Sequence, residues 1–95
     1  MKTIWKFDLY SVANSVEMPK GAEVLYASMQ GGSARVWALV DPDAPKVSRK
    51  VWILGTGGDC SGLSPRAKYV NAFMDFSDIS RMTFVYHVFD DGEQT

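Results

Sequence analysis

Ninety-five residues bound a single domain, 1–95, large enough to bury roughly two-thirds of its extended surface around one core without staples. Apolar residues at 46%, aromatics at 13% and charged residues at 22% exclude a disordered chain, and one cysteine excludes a disulfide framework or a cysteine-rich zinc module. Ten Lys plus Arg against 11 Asp plus Glu leave a net charge of −1, which excludes a strong global pull on nucleic acid or an anionic membrane.

Thr3 to Leu9 alternates Trp5, Phe7 and Leu9 with Lys6 and Asp8, the pattern of a half-buried strand. Lys6 and Asp8 also interrupt the apolar run that a secretory signal needs. The longest apolar runs, such as Trp37 to Val40 and Val51 to Leu54, fall far short of the roughly 20 residues of a membrane helix. With the free Cys60, this makes the cytoplasm the expected location. Further strands are predicted over Glu23 to Met29, Ala34 to Val40, Arg49 to Leu54, Tyr69 to Phe73 and Thr83 to Phe89. Turn signals separate them at Pro19-Lys20-Gly21, Gly31-Gly32-Ser33, Pro42-Asp43-Ala44-Pro45, Gly55-Thr56-Gly57-Gly58 and Ser61-Gly62.

Gly31-Gly32 joins two runs closely enough for a hairpin. The runs around Trp37, Trp52 and Tyr86 are apolar on both alternating faces, which predicts central strands covered on both sides. Ser77 and Asp78 are candidate N-caps for one short helical turn reaching Met82, and Asp90 to Thr95 is polar and expected to fray. The expected fold is all-β, a small antiparallel sandwich or barrel of about six or seven strands, α+β only if that helical turn forms.

The candidate binding residues are Gly55, Thr56, Gly57 and Gly58, with Arg66, Lys68 and Trp52. Backbone amides of the glycine-rich loop suit a phosphate nest. The loop lacks the Lys followed by Ser or Thr of a phosphate loop and does not lead into a helix, so it also reads as a plain connection. His87 is the sole histidine, and a catalytic role requires Cys60 or a Ser to be brought to it by folding. Asp41-Pro42-Asp43 lacks the continued spacing of a calcium loop and reads as a Pro-locked turn. Asp59 beside Cys60 raises rather than lowers a thiol pKa. Lys46, Arg49, Lys50, Arg66 and Lys68 interleave with Trp52 and Tyr69 as in some single-strand binders, but core packing and a solvated face suit them better. Three tryptophans in so small a domain predict at least one partly exposed aromatic, a mark of interfaces.

Five segments, Ile4-Trp5-Lys6-Phe7, Met18-Pro19-Lys20-Gly21-Ala22-Glu23-Val24-Leu25, Trp37-Ala38-Leu39-Val40-Asp41-Pro42, Gly55-Thr56-Gly57 and Tyr86-His87-Val88-Phe89, together resemble a widespread family of short bacteriophage and prophage proteins of unknown function. The segment Tyr69-Val70-Asn71-Ala72-Phe73 keeps that family's aromatic ends but not its small middle residues, and Gly58 to Lys68 departs from its pattern. The resemblance implies a phage-encoded protein acting inside a bacterial cell, and it carries over no catalytic residue. The expectation is a non-catalytic protein, not an enzyme, without cofactor or metal, that engages a host protein such as a defence complex. The alternative is a binder that sequesters a nucleotide signal through Gly55 to Gly58 with Arg66 or Lys68. Self-association is left open.

Overall fold

The computed structural model describes residues 1–94, apart from the side chain at 77. Period-two patterning resolves into β1 (Thr3–Leu9), β2 (Ala13–Pro19), β3 (Glu23–Gln30), β4 (Ser33–Val40), β5 (Lys46–Gly55), β6 (Lys68–Ser77) and β7 (Met82–Glu93). They form two antiparallel sheets ordered β1-β4-β3 and β2-β5-β7-β6, sandwich-like and not closed into a barrel. The inward residues Val16 and Met18 of β2, Val36, Ala38 and Val40 of β4, Val51 of β5 and Val88 of β7 make the core between them. Among the described residues no helix is long and apolar enough to cross a membrane.

The runs around Trp37, Trp52 and Tyr86 are central strands, as expected, since β4, β5 and β7 each pair on both edges. The covering differs between the sheets. Trp37 lies on the outward side of β4, tilted against the exposed Tyr26 with ring centres 6.0 Å apart. That face is bridged by polar groups, the Arg35–Asp8 ion pair at 3.0 Å and the Lys6–Gln30 hydrogen bond at 3.0 Å.

Two local expectations are corrected, and one strand is added to those expected. Ala13 to Pro19 is a strand whose inward positions are Asn14, Val16 and Met18. Asn14 breaks the apolar signal because its side chain caps the preceding turn, accepting from the amides of Tyr10 (2.7 Å) and Ser11 (3.0 Å) and donating to Val51 O (3.2 Å). Asp78 to Arg81 form a tight turn rather than a helical one, with Arg81 at φ 60° reversing the chain directly into β7. Asp90 to Glu93 do not fray: β7 runs to Glu93, and Asp90 and Asp91 are buried, while Thr95 lies outside the described residues.

The sandwich has a stitched edge and an open one. Bulges at Leu25 in β3 and Val70 in β6 bring the edge strands of the two sheets together. There the Asn71 carboxamide acts as a stand-in peptide group, its Oδ1 accepting from Ala27 N (2.8 Å) and its Nδ2 donating to Ala27 O (2.7 Å). Ala27 is fully buried, so both of its backbone groups depend on this side chain. On the opposite edge, β1 and β2 face one another without pairing.

β6 and β7 also outrun the sheet. β5 ends opposite Tyr86 at Gly55, and the pairs from Met74↔Val85 to Ser77↔Met82 have no third strand. This two-stranded arm stretches the molecule to 44 × 30 × 17 Å. The radius of gyration, 13.7 Å, exceeds the roughly 12.4 Å of a compact chain this long.

Asn71→Ala strands two buried backbone groups, and should cost about 1–3 kcal/mol, or about 4–8 °C of Tm per kcal/mol. Thermal melts check the loss, and hydrogen exchange should show the Ala27 amide losing protection before the β5 amides.

Candidate functional site

β7 carries a bulge at its C-terminal end, where Arg49 pairs with Glu93 and Val51 with Asp90, so that Asp91 and Gly92 together stand opposite Lys50. Gly92 takes φ +85°, a conformation that side chains resist. Strand alternation at the start of the bulge turns two adjacent carboxylates to opposite faces. Asp90 points inward and receives a two-pronged contact from Arg49, Nε to Oδ1 and Nη2 to Oδ2 both at 2.9 Å, while Arg49 Nη1 donates to Ala22 O at 2.6 Å. Asp91 points outward and accepts from Trp52 Nε1 (2.9 Å), from Ser64 N (3.2 Å) and from the Ser64 hydroxyl.

Asp91 thereby anchors the long connection between β5 and β6. That loop crosses the outer face of the four-stranded sheet, and Gly62 lies so close to Trp52 that a β-carbon there would meet Cη2 at 2.6 Å. Leu54, two residues on and on the same face, is 4% exposed yet outside the main core, so the loop does there what a second sheet does elsewhere. The Lys50 ammonium sits 4.9 Å from the Trp52 ring centre.

The candidate binding residues are divided among several jobs. Gly55 and Gly58 close a turn on themselves, Gly58 N donating to Gly55 O at 2.9 Å. Ser61 N donates to Asp59 Oδ1 at 2.9 Å, a contact that holds the Asp59 carboxyl below its usual pKa and sets a negative charge in the loop. Arg66 turns from the glycines to β7, donating from Nε to Asp91 O and from Nη2 to Glu93 O, each at 3.2 Å. Lys68 lines a separate cavity of about 320 Å³ with Glu23, Arg49 and Asp90. Asp41 caps its turn, accepting from Asp43 N at Oδ1 (3.0 Å). Cys60 is free and exposed.

His87 does meet a hydroxyl. Its Nε2 is 2.9 Å from Thr56 Oγ1 and its Nδ1 is 3.0 Å from the Tyr69 hydroxyl. The Thr and Tyr flank the two ends of the crossing loop, so one imidazole ties both ends to β7. A neutral phenol stands where an acyl-transfer triad has a carboxylate to stabilise the imidazolium. The cavity that Thr56 lines, about 290 Å³, does not include His87.

Sequence reasoning missed the arm. Met74 and Phe76 lie on its outward face, Phe84 and Met82 on its inward face, and Ile79 at its tip, the last 98% exposed. The usable signal is apolar residues at both parities on either side of a polar turn, with too few neighbouring strands to cover both.

Two outcomes test the loop anchor. Gly62→Ala forces the loop off an indole that Asp91 holds in place, and should cost about 1–3 kcal/mol with a red shift in tryptophan fluorescence. The Ser64 hydroxyl bond holds the Asp91 carboxyl below its usual pKa, against the opposing effect of burial, with Trp52, the Ser64 amide and Arg66 adding to the lowering. Its contribution is complete above the unfolded value of about 3.9 and is lost as pH falls from there through the lower folded value. Asp91→Asn should lower Tm at neutral pH and flatten the acid limb of a Tm-against-pH curve.

No curated protein and no solved structure matches this chain significantly. The family model described as a domain of unknown function, DUF7352, matches residues 1–95, and the chain belongs to that family.

Proposed function

We propose that this is a non-catalytic binding protein that engages another protein through the β6–β7 arm. One observation carries the reading: Met74, Phe76, Ile79, Met82 and Phe84 are all exposed on a two-stranded arm that no other strand covers among the described residues. An isolated pair of strands is marginally stable in water, and large apolar residues exposed on both of its faces leave most of their surface in water. Burial against a partner supplies what is missing, with the aromatic and Met side chains serving as anchors. Inside the domain the polar groups around Asp90, Asp91 and His87 hold the β5–β6 loop and the sheet end, which are structural roles. The nucleotide-sequestering alternative draws little support from Arg66, whose Nε and Nη2 donate to β7 carbonyls rather than toward the glycines.

The resemblance to phage and prophage proteins carries the choice of partner, a protein of the bacterial host encountered in its cytoplasm, with a defence complex as the proposed target. Native mass spectrometry of the protein gently purified from such cells tests this. The wild type should carry one additional host polypeptide. Phe76→Ser with Ile79→Glu should keep the wild-type Tm within a few degrees and release that polypeptide, at least about a tenfold loss of affinity for two anchor positions. A bare wild-type monomer, or a partner retained equally by the double variant, overturns the reading.

A further inference from the structure

We propose that the open end of the sandwich is a binding site for a small amphipathic ammonium compound, its cationic head on Asp75 and its apolar body between the sheets. This goes beyond the arm's protein contact and does not depend on it.

The ends of both sheets meet here around a cavity of about 330 Å³, at the lower end of the roughly 300–1,000 Å³ typical of ligand pockets. Its deep wall is core: Leu9 and Phe73 are buried members of the main cluster, and Met29 and Ile53 pack against them. The Phe73 and Tyr86 rings, with centres 5.7 Å apart, give the wall aromatic surface. Among the described residues, Asp75 is the only charged one in the lining.

Position makes this carboxylate informative. Asp75 follows Phe73 by two along β6, so it faces the same way as that core residue, half-buried at the base of the arm where the cavity opens. The cavity's other acidic neighbour along the chain, Asp8, is already engaged by Arg35 (3.0 Å) and by the Tyr10 hydroxyl (3.1 Å). Among the described residues no hydrogen bond or ion pair engages Asp75. An apolar recess with one unpaired carboxylate and aromatic rings nearby selects a ligand with a cationic head and an apolar body over a neutral or anionic one of the same shape.

The test is an NMR titration of the full chain with phenethylammonium, phenylacetate and 2-phenylethanol. The ammonium should shift the Leu9, Phe73 and Tyr86 resonances saturably, and bind at least about tenfold more tightly than the other two probes, the ratio expected of one partly shielded charge contact. Asp75→Asn should abolish that preference while leaving weak binding of the alcohol. Asp78→Asn, in the turn outside the cavity, should retain it. The proposal falls if the ammonium produces no saturable shift at these three residues. It also falls if phenylacetate binds wild type as well as the ammonium does, a comparison that needs no variant. Equal weakening by Asp75→Asn and Asp78→Asn would mean a general charge effect and overturns it too.

Discussion

Much of this structure depends on the bulge at Asp90-Asp91-Gly92. A regular strand alternates its side chains, and one extra residue in the ladder re-aims the side chains beyond it. Here alternation delivers the Asp90 carboxylate to Arg49 between the sheets and the Asp91 carboxylate to Trp52 and Ser64 outside them, and the extra residue brings Glu93 back opposite Arg49. Both are buried charges, tolerable because each is met by several donors. Arg49 in turn reaches the carbonyl of Ala22, where β3 is about to begin, and Arg66 braces the bulge from the loop side. Gly21 N donates to Glu93 Oε2 at 2.7 Å, so the turn between β2 and β3 is held by the same short stretch of β7.

The result is a domain with two unlike ends. At one end, ion pairing, the Asn71 carboxamide and the bulges of β3 and β6 tie the strands to one another. At the other end, the β1–β2 turn, the β3–β4 hairpin and the base of the arm surround an apolar recess and a projecting pair of strands. Polar residues do the structural stitching at the first end, and the arm at the second leaves Met74, Phe76, Ile79, Met82 and Phe84 exposed. That is the reverse of a simple oil-drop expectation, and it is why the exposed apolar groups carry the functional reading.

The all-β class, the central position of three strands and the hairpin at Gly31-Gly32 are legible in the sequence because they rest on period-two patterning and turn glycines, which are local. The illegible parts rest on side chains replacing backbone. Asn14 occupies an inward strand position as a cap, and Asn71 completes a ladder between sheets, so both read as breaks in an apolar pattern. Asp90 and Asp91 read as a polar tail because their partners, Arg49, Trp52 and Ser64, lie 27 or more residues away. The glycine-rich loop stands out by its composition. Its actual use is close approach: Gly62 is small so that the chain can lie on an indole. The arm is hidden because Met and Phe at both parities look like core until one finds no strand left to cover them.

The place of β7 in its sheet has a consequence for biosynthesis. β5 and β6 precede β7 in the chain, yet neither touches the other's edge, because β7 lies between them. During translation the finished β2–β5 pair and the finished β6 must therefore wait, edges open, until residues 82–94 have cleared the ribosome. Non-local pairing of this kind is slow and leaves strand edges available to other chains. Rapid translation or crowded overexpression therefore exposes this domain at its most adhesive moment, and a chaperone able to shield a bare β-edge would meet the nascent chain before any physiological partner does.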